Sequence, residues 1–446
     1  MNKQWNKNIY RVLLLISFLA VNTIILYGIS AVLSYLNTGA DKSSILHLEK
    51  EIHDVYLPKI TWESLQNEGR PMEKQTLQEI EKDYLRAWYT RSIAYKNNAR
   101  YGISDYYTDS ARVKLYKTID LNKKNKTTVN STTLEHNPSI DFYSLDGTMA
   151  VLTDNNVIEY EETLVNNEVV FGKKDTTSYK VMLLLEDGFW RIRHMVAIDN
   201  EKEMPKIKKR LFLKEDITAI KGINYYPKDS PWNMYGAQFN AQIIDEDFKI
   251  IKQMGLNTVR IFIPYTDFGA AQVLPEKLEK LRSVLDLAAA NDIKVMLTLF
   301  DFYGNYDIID WTLTLRHIET IVTTFKNHKA LVAWDIKNEP DLDFNSRGKE
   351  NVLAWLNEMV NTVKKKDTNH PVTIGWSNSE AAIHLANEVD FVSFHYYKKS
   401  SDFTMAYATL KNAISNKPIL LQEYGLSSYS GIWNAFTGSK KKQANY

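Results

Sequence analysis

Two carboxylates, Glu339 and Glu423, each follow a short apolar run in the second half of a 446-residue chain. Glu339 ends the stretch LVAWDIKNE and Glu423 ends PILLQE. A buried run carries its last residue to the rim of a sheet, where a carboxylate can meet a ligand. Two such groups on opposite sides of one carbon can divide the work of displacement. One stays protonated and donates to a leaving oxygen, while the other stays ionised and attacks, as glycoside hydrolysis requires. Further runs end on polar or aromatic side chains, Tyr226, Asp301, Asn338, Trp376, His395 and Tyr397, and the run 258–264 carries Arg260. A cation such as Arg260 beside a carboxylate keeps that carboxylate ionised.

These residues need a scaffold that gathers strand ends at one place. From residue 217 onward, apolar runs at 220–226, 258–264, 293–299, 331–336, 372–376, 391–396 and 418–422 alternate with helical stretches. AQIIDEDFKIIKQMG and PEKLEKLRSVLDLAAAND repeat their apolar positions at a helical period. Gly255 stands where a helix C-cap belongs. Continuous apolar strands separated by helices predict a parallel sheet. Seven such units fit a (β/α)8 barrel, whose chemistry sits at the C-terminal ends of the strands. A doubly wound sheet is the alternative, but no GxGxxG or GxxxxGK[ST] loop is present.

The motifs carry a resemblance. WDIKNEPD (334–341) is similar to the fourth-strand Asn-Glu motif of glycoside hydrolase clan A, and PILLQEYG (418–425) to its seventh-strand nucleophile motif. NTVRIFIP (257–264) and VSFHYY (392–397) are similar to its second-strand Arg and sixth-strand His-x-Tyr. The nearest group is the cellulase-like family five, including mannanase-like members. The resemblance implies that Glu339 is the general acid/base and Glu423 the nucleophile, with net retention. It also implies that Asn338 bonds the sugar 2-hydroxyl, that Arg260 and Tyr397 hold Glu423, and that His395 lines the same subsite. Tyr226, Trp232, Trp311 and Trp376 are candidates for stacking on sugar rings. The implied substrate is a β-linked glucan or mannan. A non-catalytic glycan-binding or scaffold protein is the alternative.

Two departures from the family accompany the resemblance. No third-strand His is evident in MLTLFDFYGN, where Asp301 or Tyr303 takes that region. Only 446 − 423 = 23 residues follow Glu423. A barrel needs about 40–60 more for its eighth βα unit. The expectation is a truncated barrel over residues 217–446, lacking its eighth strand.

The first half reads differently. Residues 12–36 are uncharged and apolar, long enough as a helix (about 37 Å) to cross a bilayer. Lys3, Lys7 and Arg11 precede them. That flank predicts a cytoplasmic N-terminus (1–11), a transmembrane anchor (12–36) and an extracytoplasmic remainder, periplasmic or at the cell surface. A cleaved signal peptide ending near Thr38-Gly39-Ala40 is the other reading. Residues 41–200 begin with a polar stalk and a helix near 74–97. A polar, loop-like stretch (120–135) and a meander of strands follow, with turns at Asp146-Gly147 and Asp187-Gly188. This α+β order resembles nuclear-transport-factor-two-like (SnoaL-like) cone domains. His194 and Asp187 are read as a strand-face residue and a turn residue. Residues 201–216 are charged and read as a linker.

Composition excludes several classes. With 55 Lys and Arg against 54 Asp and Glu there is no global field for nucleic acid. Without cysteine there is no disulfide, thiolate metal site or Cys nucleophile. Asp341, Asp343 and Asn345 mimic the start of a calcium loop, but Ser346 and Val352 stand where Gly and Glu are required. No cofactor or metal is expected.

Overall fold

A computed structural model describes residues 3–37, 55–198, 217–414, 417–426 and 439–446. The stalk before residue 55, the 38–40 tripeptide and the 201–216 linker therefore lie outside the described residues. The chain divides into two compact units, Met1–Ile52 with Ile60–Asn200, and His53–Lys59 with Glu201–Tyr446.

In the first unit a helix runs over Lys3–Asn37. Its stretch Leu13–Ser30 is long and apolar enough to cross a membrane, and none of it is buried against protein. Ser17, Asn22 and Thr23 each donate to the carbonyl four residues earlier at 2.8 Å, which lowers the cost of placing them in an apolar helix.

The rest of the first unit packs the helix Lys74–Asn97 on an antiparallel sheet. The strands are β1 (Lys59–Ile60), β2 (Thr127–His136), β3 (Pro138–Tyr143), β4 (Met149–Val165), β5 (Glu168–Glu186) and β6 (Phe189–Ile198). Their order is β1-β2-β4-β5-β6, with β3 paired to β4 off this path. Both anticipated turns form, with Gly147, Asp187 and Gly188 at positive φ. Residues 120–135 correct the expectation of a loop. The helix Asp109–Lys124 ends there and β2 begins at Thr127. Its β-branched threonines suit a strand, and Thr132, Thr133 and Leu134 are buried despite the polar composition. β4 runs unbroken through residues 149–165, with its register shifting between Asp154 and Val157.

The second unit holds a seven-stranded sheet. Its strands are β7 (Gly222–Asn224), β8 (Thr258–Pro264), β9 (Lys294–Asp301), β10 (Leu331–Asn338), β11 (Val372–Trp376), β12 (Val392–Tyr396) and β13 (Ile419–Tyr424). They pair in parallel and in chain order, so the sheet is a (β/α)8-type barrel short of one strand. Among the described residues no backbone ladder joins β7 to β13. The helices Ala241–Gln253, Pro275–Ala290, Trp311–Phe325, Lys349–Lys366 and Phe403–Ala413 fall between strands. Asn240 caps the first of these by accepting from the amides of Gln242 and Ile243. Gly255 stops it at φ 79°, as its position predicts.

Alternation along β10 assigns each residue a side. Ala333 joins Ile217, Met296 and Phe391 in the barrel core. Trp334 points away, its indole donating to Asp367 Oδ2 at 2.8 Å. Asp367 sits just past the helix Lys349–Lys366 and also accepts from the amides of Asn369 and His370. It anchors the strand that carries Asn338 and Glu339. Burial raises its pKa, but hydrogen bonds from His370, Trp334 and Asn369 outweigh this and bring it to about 2, from 3.8. The group therefore stabilises the fold by roughly 2 kcal/mol above pH 4, a contribution lost as pH falls through about 2. Asp367→Asn should lower the urea midpoint of the barrel at pH 7, and the difference from the parent should shrink towards pH 2. A pH-independent difference in unfolding titrations would contradict this account.

Candidate active site

The strand ends converge around one guanidinium. Arg260 on β8 is 4% exposed and spends its donors across the barrel. Nε and Nη2 donate to Asp335 Oδ2 at 3.0 and 2.6 Å, Nη2 also to Asn338 Oδ1 at 2.9 Å, and Nη1 to Glu423 Oε1 at 2.6 Å. Thr298 donates to the same Asp335 oxygen at 2.9 Å. Space for this cluster comes from Gly375 on β11. A Cβ there would lie 2.6 Å from Gln422 Oε1 and 2.7 Å from Arg260 Nη2.

Glu423 on β13 is held at both oxygens. Oε1 accepts from Arg260 and from Asn224 Nδ2 at 2.8 Å, and Oε2 accepts from the Tyr397 hydroxyl at 2.7 Å. Burial opposes its ionisation. The charges of His395 and Arg260 and the hydrogen bonds from Tyr397 and Asn224 outweigh burial, so its pKa lies below the usual 4.5. Burial, with the bond to Glu423, pushes the Tyr397 phenol up, which keeps it a donor.

Glu339 is positioned by its backbone. It follows β10 in the left-handed region (φ 46°, ψ 51°), and its amide donates to the Gly375 carbonyl at 2.7 Å. That conformation costs a non-glycine residue about 1 kcal/mol or more, and here it turns the carboxylate back over the barrel mouth. His395 on β12 is fully buried between the two acids. Its Nδ1 lies 2.8 Å from Glu339 Oε1 and 3.4 Å from Glu423 Oε2, and its Nε2 lies 3.2 Å from Gln422 Oε1. One oxygen of each glutamate and the imidazole nitrogen all lie within 4.8 Å of one another. Those three groups are also the described residues most able to hold a metal ion, but Arg260 already neutralises Glu423.

Most of the expected residues thus meet: Glu339, Glu423, Arg260, Asn338, His395 and Tyr397. Asp301 ends β9 at 6% exposure, and its Oδ2 has no hydrogen-bond partner among the described residues. Burial raises its pKa, partly offset by Lys337 and Arg260. Tyr226 stacks on Phe262 (4.9 Å, 7° between planes) and packs on Trp232, which is 64% exposed. Two aromatic expectations need correction. Trp376 is 1% exposed and packs its ring on Phe344 and His384, so it offers no face to a ligand. Trp311 is fully buried, with its indole donating to the Tyr306 carbonyl. Asn224, Asp335, Gly375 and Gln422 were not anticipated. Of these only Asp335 left a signal, an acid inside an otherwise apolar strand.

Residues 219–446 match the family model described as Cellulase (glycosyl hydrolase family 5). A putative mannan endo-1,4-beta-mannosidase 4 of Arabidopsis thaliana is 25% identical over 223 residues, 40% of this chain and 51% of its own. A beta-glucuronidase of Chlorocebus aethiops is 27% identical over 222 residues, 47% of this chain and 31% of its own. The solved structure of the exo-beta-1,4-mannosidase Op5Man5 from Opitutaceae bacterium strain TAV5 aligns with 48% of this chain and 46% of its own, at TM-score 0.42 and 19% identity. The chain spans about half or less of the length of these curated relatives.

The bonds to Glu423 predict its titration. Because its folded pKa lies below 4.5, its contribution to stability is complete above that value and is lost as pH falls through the depressed one. Tyr397→Phe and Asn224→Ala each remove a donor to the ionised form and should move the Glu423 titration upward. Carbon-13 NMR of glutamate-labelled protein reads this directly, and an unchanged or lower midpoint would refute the assignment of those donors.

Proposed function

Because the chain belongs to glycosyl hydrolase family 5, we propose that it is a retaining glycoside hydrolase that cleaves a β-linked glucan or mannan-type polysaccharide by double displacement. The observation that carries this reading is a carboxylate pair within 4.8 Å whose members have unequal surroundings. Retaining enzymes keep their carboxyls about 5–5.5 Å apart, whereas inverting ones need about 6.5–9.5 Å for an intervening water. Glu423, held ionised, attacks the anomeric carbon as the glycosidic bond breaks, and Glu339 gives its proton to the departing oxygen. Glu339 then takes a proton from water, the water oxygen attacks the anomeric carbon, and the bond to Glu423 breaks. Asn338 has its oxygen occupied by Arg260, which leaves its amide N–H groups for the sugar 2-hydroxyl. Tyr226, with Trp232 beside it, supplies a face for a sugar ring. Relatives named as mannan endo-1,4-beta-mannosidases support the mannan choice.

In this reading the helix over residues 12–36 anchors the protein, its N-terminus is cytoplasmic and the barrel acts outside. Residues 41–200 form a cone-like module of the SnoaL-like kind, a reading supported by helices followed by antiparallel strands. Removing residues 1–36 should release the protein from membrane fractions, and retention there would count against the anchor.

Activated 2-deoxy-2-fluoro glycosides in gluco and manno configuration should label Glu423, as read by peptide mass mapping. No label from either, with folded protein, would sink the proposal. Glu339→Gln should cost about 10²–10⁴-fold on substrates with poor leaving groups and far less on activated ones. Equal losses on both would remove Glu339 from the acid role.

A further inference from the structure

In the first unit, the helix Asp109–Lys124 leaves an apolar and basic face uncovered. It buries only Ile119. Val113 is 64% and Leu121 48% exposed, and Tyr101, next to Arg100, is 80% exposed. Val113, Lys117, Leu121 and Lys124 follow at spacings of four, four and three, so they share one face. An open groove on that face is lined by Arg100, Val113, Tyr116, Lys117, Leu121 and Lys124. Asp120, the one acid in the groove, is tied to Arg100 at 2.6 Å, and Asp109 is paired with Arg112. Residues 100–126 hold seven Lys and Arg against three Asp, 7 − 3 = +4 in a chain of net charge +1. Lys114, Lys117, Lys123, Lys124 and Lys126 have no ion-pair partner among the described residues.

We propose that this face docks on an anionic lipid bilayer, with Val113 and Leu121 at the headgroup boundary and the lysines against lipid phosphates. Interfacial helices combine those two features, apolar side chains that leave water and cations that meet anionic headgroups. The lysine stems lie along the apolar surface while their ammonium groups stay at the phosphates. A polyanion in water would satisfy the lysines but leave Val113 and Leu121 exposed. A purely apolar partner would strand the charges. The chain itself brings a bilayer within reach. The helix Lys3–Asn37 is long and apolar enough to cross a membrane over Leu13–Ser30. Only 17 residues (54 − 37) separate Asn37 from Val55. Fully extended, such a tether spans about 60 Å at ~3.5 Å per residue. It holds the face near the bilayer at an effective concentration on the order of millimolar, where a weak contact suffices. The inference takes that tether from the anchor reading above, while the charge and the exposed apolar residues stand without it.

The chain has no cysteine, so one introduced thiol takes one label. The full chain carrying Leu121→Cys, labelled with a polarity-sensitive dye, is placed in nanodiscs of phosphatidylcholine alone or mixed with phosphatidylglycerol. Val113→Cys is the second reporter, and Leu145→Cys, at an 86% exposed turn of the same unit, is the control. Emission from both reporters should move to the blue only in the anionic discs, with the control unchanged. Lys117→Gln combined with Lys124→Gln should lower the docked-to-undocked ratio on the order of twentyfold, at about fivefold per lysine. Salt at about 1 M should reverse the shift, because it screens charge beyond about 3 Å. Reporters that ignore lipid, or respond equally in neutral discs, overturn the inference. So does an equal response from the control, an unchanged ratio in the double variant, or a shift on concentrating the protein without lipid, which would mean a second copy. The lipid and salt comparisons use one labelled protein, so a double variant that fails to fold does not block them. Retention of the chain in neutral discs reports the anchor separately. A chain lost from neutral discs whose reporters still respond to anionic vesicles would sink the anchor and leave this contact standing.

Discussion

Arg260 is the residue on which the barrel mouth depends. A buried guanidinium without partners costs several kcal/mol, so the fold has to deliver carboxylates to it. Asp335 comes from β10 and Glu423 from β13, and the planar fork serves both with separate N–H groups. Those bonds cross the barrel interior. They fix how far β8 stands from β10 and β13, and they set Asn338 beside Glu423. The demand reaches residues that touch no carboxylate. Gly375 must lack a side chain because its Cβ site is already filled by Arg260 and Gln422, although glycine weakens a strand.

The same arrangement makes two glutamates unlike. Glu423 sits under a cation and two neutral donors, which favour its charged form. Glu339 hangs from a strained left-handed residue beyond the strand, with an imidazole as its hydrogen-bond partner. The difference arises from backbone and neighbours rather than from residue type. Within about 5 Å, one carboxylate is fixed as an anion while the other is turned towards whatever occupies the mouth.

How much of this was legible depended on how local each signal was. Glu339, Glu423 and His395 stood out because each lies at the end of an apolar run, and Arg260 because it is a lone charge inside one. Asn224 and Gln422 did not, since their roles exist only when the first and last strands of the sheet come together. Gly375 was silent for the same reason, its neighbours being 115 and 47 residues away (375 − 260 and 422 − 375). Trp376 misled because a ring at a strand end can turn either to the mouth or to the packing behind it, and Phe344 and His384 decide for the latter. Polar composition hid β2, whose Thr132 and Thr133 are buried through contacts that no local pattern records.

The two oxygens of Glu423 have different duties. Oε1 is tied by Arg260 and by Asn224 of β7, and it is a side-chain stitch between the first and seventh strands, which no backbone ladder joins among the described residues. Oε2 accepts from the Tyr397 hydroxyl and lies 3.4 Å from His395 Nδ1, on the side of Glu339. In the double displacement proposed above, the ester would form at Oε2 and Oε1 would become its carbonyl. That carbonyl could still accept both hydrogen bonds, so the seam of the barrel would stay sewn while a sugar was attached.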